Sequence, residues 1–416
     1  MNALARDRGR PTVPETLVWA LLALAGGVAL LWAWRYLPAD NDYGVEAAAP
    51  MGALLRGHLQ TFLATAPSYG ASLALRAPFA LLGRWIGGNL LSVYRAGALP
   101  CVLALGALGV WLARELRARG GGLLAAALVV AVCVANPIVY RALVLGHPEE
   151  VLGAALSAGA VLLAQRGRSV WAGLALGLAI ANKQWALLAI GPVVLALPAG
   201  RWRALLIAGV VAAALEAPFV FAVGSATAGT SRLIINGTGQ LFHPWQFFWW
   251  LGTPIHWGAP VTASTPIGWR SPPSWLAGRA HLLIVWLAVP LTALAWWRRM
   301  RREDALLLLA LLMLMRCALD PWDTVYYPLP MIVALVAWEA SVARRLPLAA
   351  LGATALTWLI FESLPTLVGP DAQALSFLVP AVVALGTLGR IVFRGRGAAQ
   401  RAVAPSTVSR PRAALW

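Results

Sequence analysis

The sequence predicts an all-α, polytopic membrane protein with about 10–12 transmembrane helices. Three observations carry that reading. Of 416 residues, 60% are hydrophobic and only 12% are charged, far from the balance of soluble domains. Apolar runs recur along the whole chain, many near the ~20 residues that a spanning helix needs. Arginines come in short clusters between those runs, which is how topology is written in a membrane protein.

In chain order, Arg6, Arg8 and Arg10 lead into a first span, Leu17 to Leu37. Its length, with no small-residue cleavage site after it, marks it as retained. Residues 38–89 form a first outer loop, in which Ser72 to Leu82 carries Arg76 and Arg84 and reads as an interfacial helix. Spans 2 to 4 are Leu90–Ala113, Leu123–Tyr140 and Val151–Ala164. Val170–Ala181 and Trp185–Leu197 are two short segments around Asn182-Lys183-Gln184; one long span there would set Arg166 and Arg201 on opposite sides, against the charge rule. Ala204–Val223 follows, holding Glu216, then a long aromatic outer loop at 224–281, a length usual for functional loops. The last spans are Leu282–Trp297, Ala305–Leu319, Leu329–Val342, Leu346–Leu364 and Ala374–Phe393. Residues 1–393 thus make one polytopic domain, and 394–416 an Arg-, Pro- and Ala-rich tail that reads as disordered.

The net charge of +17 does not point to nucleic acid, because it is one-sided. The termini and alternate connections hold 22 arginines against six acids; the other connections hold ten arginines and Lys183 against nine acids. Both termini are therefore expected in the cytoplasm. The five histidines and the acids Asp40, Asp42, Glu149, Glu150, Asp320 and Asp323 fall on or near the other side. Cys101, Cys133 and Cys317 are odd in number and scattered, which suggests neither a disulfide framework nor a zinc site.

Groups able to move protons thus gather on the outer face. Asp40-Asn41-Asp42-Tyr43 follows the first span directly, so Asp42, with Asp40 as its rival, is the candidate general base. Lys183 is the one lysine among 33 basic residues, a compact charge on a flexible stem where arginine would be the default. His147 opens His-Pro-Glu-Glu; the proline and acids are ordinary first-turn residues, and the histidine is left to contact a phosphate or a hydroxyl. Arg316 stands one turn before Asp320-Pro321-Trp322-Asp323, where an arginine needs a partner. His243, Trp245, Asp320, Asp323 and Tyr326 complete the candidate site as substrate contacts. No metal and no cofactor is called for.

The stretch from Asp42 through Val45, Ala47, Ala48 and Leu55-Arg56-Gly57 resembles the first outer loop of glycosyltransferase family 87, of the GT-C superfamily. Gly146-His147 opening a helix, Ala172 to Gly177 leading to Asn182-Lys183, and Arg316 to Asp323 followed by Tyr326-Tyr327 are similar too. The resemblance implies a polyprenyl-phosphate sugar donor, often mannose, inversion at the anomeric carbon, and the first-loop Asp as base. Together with the outward-facing charges, this leads to the expectation of a plasma-membrane hexosyltransferase of the cell envelope, with a glycolipid or polysaccharide acceptor and membrane lipids as its other partners. The chain departs from the family at His147, where glutamine is usual, and at Glu46, where tyrosine is. A multi-pass transporter or lipid flippase is the alternative, and it predicts paired halves and mid-membrane charges; Glu216 alone meets it.

Overall fold

The computed structural model describes residues 41–221, 241–255, 269–277 and 279–394, with six isolated positions between 17 and 27. Residues 1–16, the rest of the first span, Asp40, residues 222–240, 256–268 (with His256) and 278 of the aromatic loop, and residues 395–416 of the tail lie outside the described residues.

The described chain is almost wholly helical. A π-turn at Tyr43–Ala47 runs into α1 (Ala48–Leu55), followed by α2 (Leu59–Thr65), α3 (Gly70–Gly87) and α4 (Leu90–Ala118). The apolar run expected as one helix from Leu123 is broken into α5 (Leu123–Val134) and α6 (Pro137–Val144). Asn136 causes the break: Pro137 disfavours the helical conformation before it, and the Asn136 side chain caps α6 by accepting from Ile138 N at 2.8 Å. Then come α7 (Pro148–Gln165), α8 (Ser169–Asn182), a 3₁₀ turn at Gln184–Ala189, α9 (Ile190–Ala196) and α10 (Arg201–Phe221). The two short segments around Lys183 are therefore separate helices. After the aromatic loop follow α11 (Ala280–Trp297), α12 (Ala305–Leu319), α13 (Leu329–Trp338), α14 (Leu348–Trp358) and α15 (Pro370–Val392). Among the described residues the β-structure is one short antiparallel pair, Thr253–Pro254 with Arg270–Ser271, and a single bridge from Phe242 to Arg270.

Among the described residues, six helical stretches are long and apolar enough to cross a membrane, and three shorter apolar ones accompany them. Burial sorts them. Every residue of α12 is buried, as a helix hydrophobic all round must be. By contrast α10 and α11 expose Leu206, Val210, Leu282, Trp286 and Val289. Apolar surface of that extent has lipid as its natural solvent. Close packing comes from small residues: a Cβ on Gly173 or Gly177 of α8 would sit 2.6 or 2.8 Å from the carbonyls of Ala204 and Ala208 on α10.

The first outer loop is not loose. Its last piece is the 18-residue helix α3, packed along α4. Arg76, read from sequence as an interfacial charge, is 2% exposed and points into the bundle.

Candidate active site

The end of α6 builds the centre of the site. Gly146 adopts φ +96°, the left-handed cap that only glycine takes freely, and His147 N donates to Ala142 O at 2.8 Å across it. That closes α6 and sets His147 as the N-cap residue of α7. The same corner holds the first loop. Asn41 donates its amide to Val144 O at 2.8 Å, and Tyr43 packs edge-on against Tyr94, with ring centroids 4.5 Å apart. A Cβ on Gly146 would run into Tyr43 N, so the glycine is needed for space as well as for φ. Asp42, between Asn41 and Tyr43, is thereby fixed beside His147.

His147 joins two carboxylates. Its Nε2 lies 2.7 Å from Asp42 Oδ2 and its Nδ1 2.7 Å from Glu149 Oε1. Burial alone would lower the imidazole pKa, but the charge of Glu149 and the hydrogen bonds to Asp42 and Glu149 outweigh it and raise it to about 9. His147 is then an imidazolium at neutral pH, donating from both nitrogens. Asp42 is half exposed while His147 is 7% exposed, so the chain of hydrogen bonds opens outward at Asp42. Tyr326 covers the imidazole, with ring centroids 4.7 Å apart.

Behind His147 lies a buried cluster of ions. Glu149 and Glu150, in the first turn of α7, are both fully buried. Lys183 reaches Glu149 Oε1 at 3.2 Å and Glu150 Oε1 at 3.5 Å, and its ammonium lies 4.3 Å from the centre of the Tyr69 ring. Arg76 stands 3.6 Å from Glu149 Oε2, and Arg316 stands 3.8 Å from Glu150 Oε2. Buried carboxylates need such partners, since isolated ions in a low dielectric are costly by several kcal/mol each. Asn182 donates to Glu149 O at 2.8 Å and accepts from Ser72 Oγ at 2.7 Å, tying α3, α7 and α8 together. Tyr69 donates to Glu46 at 2.7 Å. Arg316 is sandwiched between Tyr327 at 4.2 Å and Trp185 at 5.2 Å. Neither Arg76 Nη2, Arg316 Nη1 nor the Glu150 oxygens complete a hydrogen bond among the described residues.

The aromatic residues form a second group against the end of α12. His243 N donates to Pro321 O at 3.0 Å and Phe247 N to Ala318 O at 2.8 Å. The His243 ring lies between Trp269 and Trp322, at 4.4 and 4.2 Å. Burial lowers its pKa to about 4, against the opposing effects of the Asp323 carbonyl and Asp320. It is therefore neutral, and Nδ1 donates to Asp323 O at 2.8 Å. Trp245 stacks on Phe361 at 4.7 Å. The two aspartates are pushed apart. Burial disfavours ionising either, but His281 at 3.2 Å and Arg316 hold Asp320 below its usual range. Burial and the neighbouring Asp320 push Asp323 well above it.

Asp42, His147, Lys183, Arg316 and Tyr326, far apart in the sequence, thus meet in one cluster, and His243, Trp245, Asp320 and Asp323 line its neighbour. Sequence reasoning reads Arg76 as an interfacial charge and, although it places Glu149 and Glu150 among the outer-face acids, gives them no part in the site beyond capping a helix. The available signal was an arginine at a position too apolar for it, in a helix seven residues after Tyr69.

A helical membrane protein whose bundle ends in a half-open acid–base chain backed by fixed cations is the class that fold and site define. Residues 71–321 match the family model described as Glycosyltransferase family 87; that is more than half of the chain, and the chain belongs to this family. It is a glycosyltransferase, acting on a sugar donor and an acceptor. The match covers Arg76, His147, Glu149, Lys183, Arg316 and Asp320; Asp42, Asp323 and Tyr326 flank it. Comparison with curated proteins and with solved structures returned no match.

Proposed function

We propose that the protein transfers a mannose-like sugar from a polyprenyl-phosphate donor to a hydroxyl of a glycolipid or polysaccharide. The reaction takes place at the outer face of the plasma membrane, with both termini in the cytoplasm. The observation that carries this reading is the chain Asp42–His147–Glu149, half exposed at Asp42 and buried behind it.

Asp42 accepts the proton of the attacking hydroxyl. The hydroxyl oxygen forms its bond to the anomeric carbon from the side opposite the phosphate, and the bond from that carbon to the phosphate oxygen breaks, which inverts the centre. The electron pair leaves with the polyprenyl phosphate. His147, donating to Asp42 Oδ2, orients the carboxylate, and Glu149 fixes the imidazolium in turn. Lys183, Arg316 and His147 supply positive charge for the departing phosphate in a site shielded from water, where fixed cations count for most. Asp40, outside the described residues, is the rival base. The ring stack of His243 and Trp322, with Trp245, Asp320, Asp323 and Tyr326, offers apolar faces and polar edges to the acceptor or the sugar.

The test is Asp42→Asn in purified protein given a labelled polyprenyl-phosphate sugar and candidate glycolipids. Transfer should fall by roughly 10²–10⁴-fold, with thermal stability retained. Full activity in that variant refutes Asp42 as the base, and wild-type protein that transfers no label from any polyprenyl-phosphate sugar refutes the donor class.

A further inference from the structure

The bundle carries a second built feature at its other end. Helix α7 begins at the Glu149–Glu150 cluster and, with 18 residues, runs for about 27 Å. At its far end Gln165 donates to the carbonyls of Arg302 and Glu303, at 3.1 and 3.2 Å. There a cleft of about 200 Å³ opens between α9, α10 and α11. Arg201, Arg299 and Arg302 line it, with Trp296, Leu195 and Met300 as its apolar part.

Arginines near a membrane boundary are ordinary topological signals; three facts set these apart. They converge on one cavity, and among the described residues none of them forms an ion pair. The acids nearest in the chain are engaged elsewhere, Glu303 with Arg301 at 3.5 Å and Asp304 with Trp338 at 3.4 Å. Arg299 also occupies a position meant for glycine. It ends α11 with φ +54°, inside a left-handed cap in which Met300 N donates to Ala295 O and Arg299 N to Trp296 O. At four other caps of that kind the chain uses glycine, at 57, 120, 146 and 167. Arg299 shares this conformation with one other described non-glycine residue, Arg344, and such strained positions are enriched at functional sites. Lastly, the N-terminus of α10 opens at Arg201, adding its exposed amides and dipole to the positive field.

Three indoles fix the level of the cleft. Trp202, Trp296 and Trp297 are 83%, 61% and 75% exposed, and exposed Trp collects at the headgroup layer of a bilayer. Arg201 lies 5.5 Å over the Trp296 ring. A cationic, unpaired cleft with an apolar wall at headgroup level matches a phosphodiester that carries acyl chains.

We propose that this cleft binds the phosphate headgroup of an anionic glycerophospholipid, in the leaflet opposite the active site. Arg201 and Arg302 contact the phosphate oxygens, Arg299 closes over them, and Leu195 and Met300 meet the glycerol and the start of the chains. The site is independent of the proposed transfer reaction.

Full-length protein in detergent is titrated with phosphatidylglycerol and, separately, with phosphatidylcholine of the same chains, and retained lipid is counted by native mass spectrometry. One copy of phosphatidylglycerol should be held about tenfold or more tightly than phosphatidylcholine. The triple variant Arg201→Gln, Arg299→Gln, Arg302→Gln should lose that copy. Arg299→Gly guards against misfolding: glycine accepts the positive φ, so this variant should unfold no lower than wild type while still binding several-fold more weakly. Equal retention of the two lipids, or undiminished phosphatidylglycerol in both variants, overturns the proposal. Inorganic phosphate in the millimolar range should leave the lipid in place; displacement would give the cleft to the free anion and overturn the lipid assignment.

Discussion

Raising the pH should weaken this protein chiefly through His147. His147 titrates near 6.5 when free and at about 9 in the fold, burial being outweighed by Glu149 and Asp42. Because the folded value lies above the unfolded one, the stabilisation is fully present below pH 6.5 and is lost as pH rises from 6.5 through about 9. The gap, at about 1.4 kcal/mol per pH decade, amounts to about 3 kcal/mol. The imidazole is 7% exposed, so solvent screening removes little of it. Thermal unfolding in detergent, followed by tryptophan fluorescence between about pH 6 and pH 10, measures the effect. Wild type should lose several degrees across the window. His147→Gln, similar in reach but unable to titrate, should start lower and decline far less. Parallel declines in the two proteins would show that other groups set the slope, and would refute the imidazolium bridge between Asp42 and Glu149. Transfer activity should fall in the same window, since neutral imidazole keeps one N–H and cannot donate to both carboxylates.

Three further outcomes follow from contacts of the same kind. Gly146→Ala puts a methyl group into Tyr43 N at a left-handed position; it should destabilise by about 2 kcal/mol or more and lower kcat, read by unfolding and transfer assays on one preparation. Lys183→Ala leaves Glu149 and Glu150 short of a cation; a loss of about 3–5 kcal/mol should accompany weaker donor binding, and Lys183→Arg should restore stability more than binding. Asp371→Asn weakens the tie in which Asp371 accepts from Trp249 Nε1 at 2.6 Å and Arg270 at 2.9 Å; proteolysis of the aromatic loop should quicken while the unfolding temperature moves little.

Much of the fold was legible because lipid imposes a simple rule on sequence. Backbone polar groups must be satisfied inside each apolar run, so the runs become helices, and Ala305–Leu319 has the same bounds in the structure as in the sequence reading. The split around Lys183 was legible from charge placement. The break at Asn136-Pro137 was signalled by that dipeptide but masked by apolar residues on both sides. The first loop went furthest astray. Hydropathy sees Arg76 as a charge that should reach water, while the structure turns it inward to Glu149, and only the partner makes that affordable.

The same asymmetry explains the site. Asp42 and His147 were each legible as chemistry-bearing residues, but 105 positions separate them. What joins them is a glycine cap and an Asn41 side chain bonded to Val144, features whose consequence is purely spatial. Glu149 was given a helix-capping part, and that part is true: it does stand in the first turn of α7. A capping carboxylate usually faces water, where its contribution is modest. Here α3 and α8 close over it, so the same carboxylate must be neutralised by His147, Lys183 and Arg76. Burial by neighbouring helices thus turns a local signal into the anchor of the site. It follows that Glu149→Gln should damage both halves at once, lowering the His147 pKa toward its free value and releasing two buried cations from their shared partner.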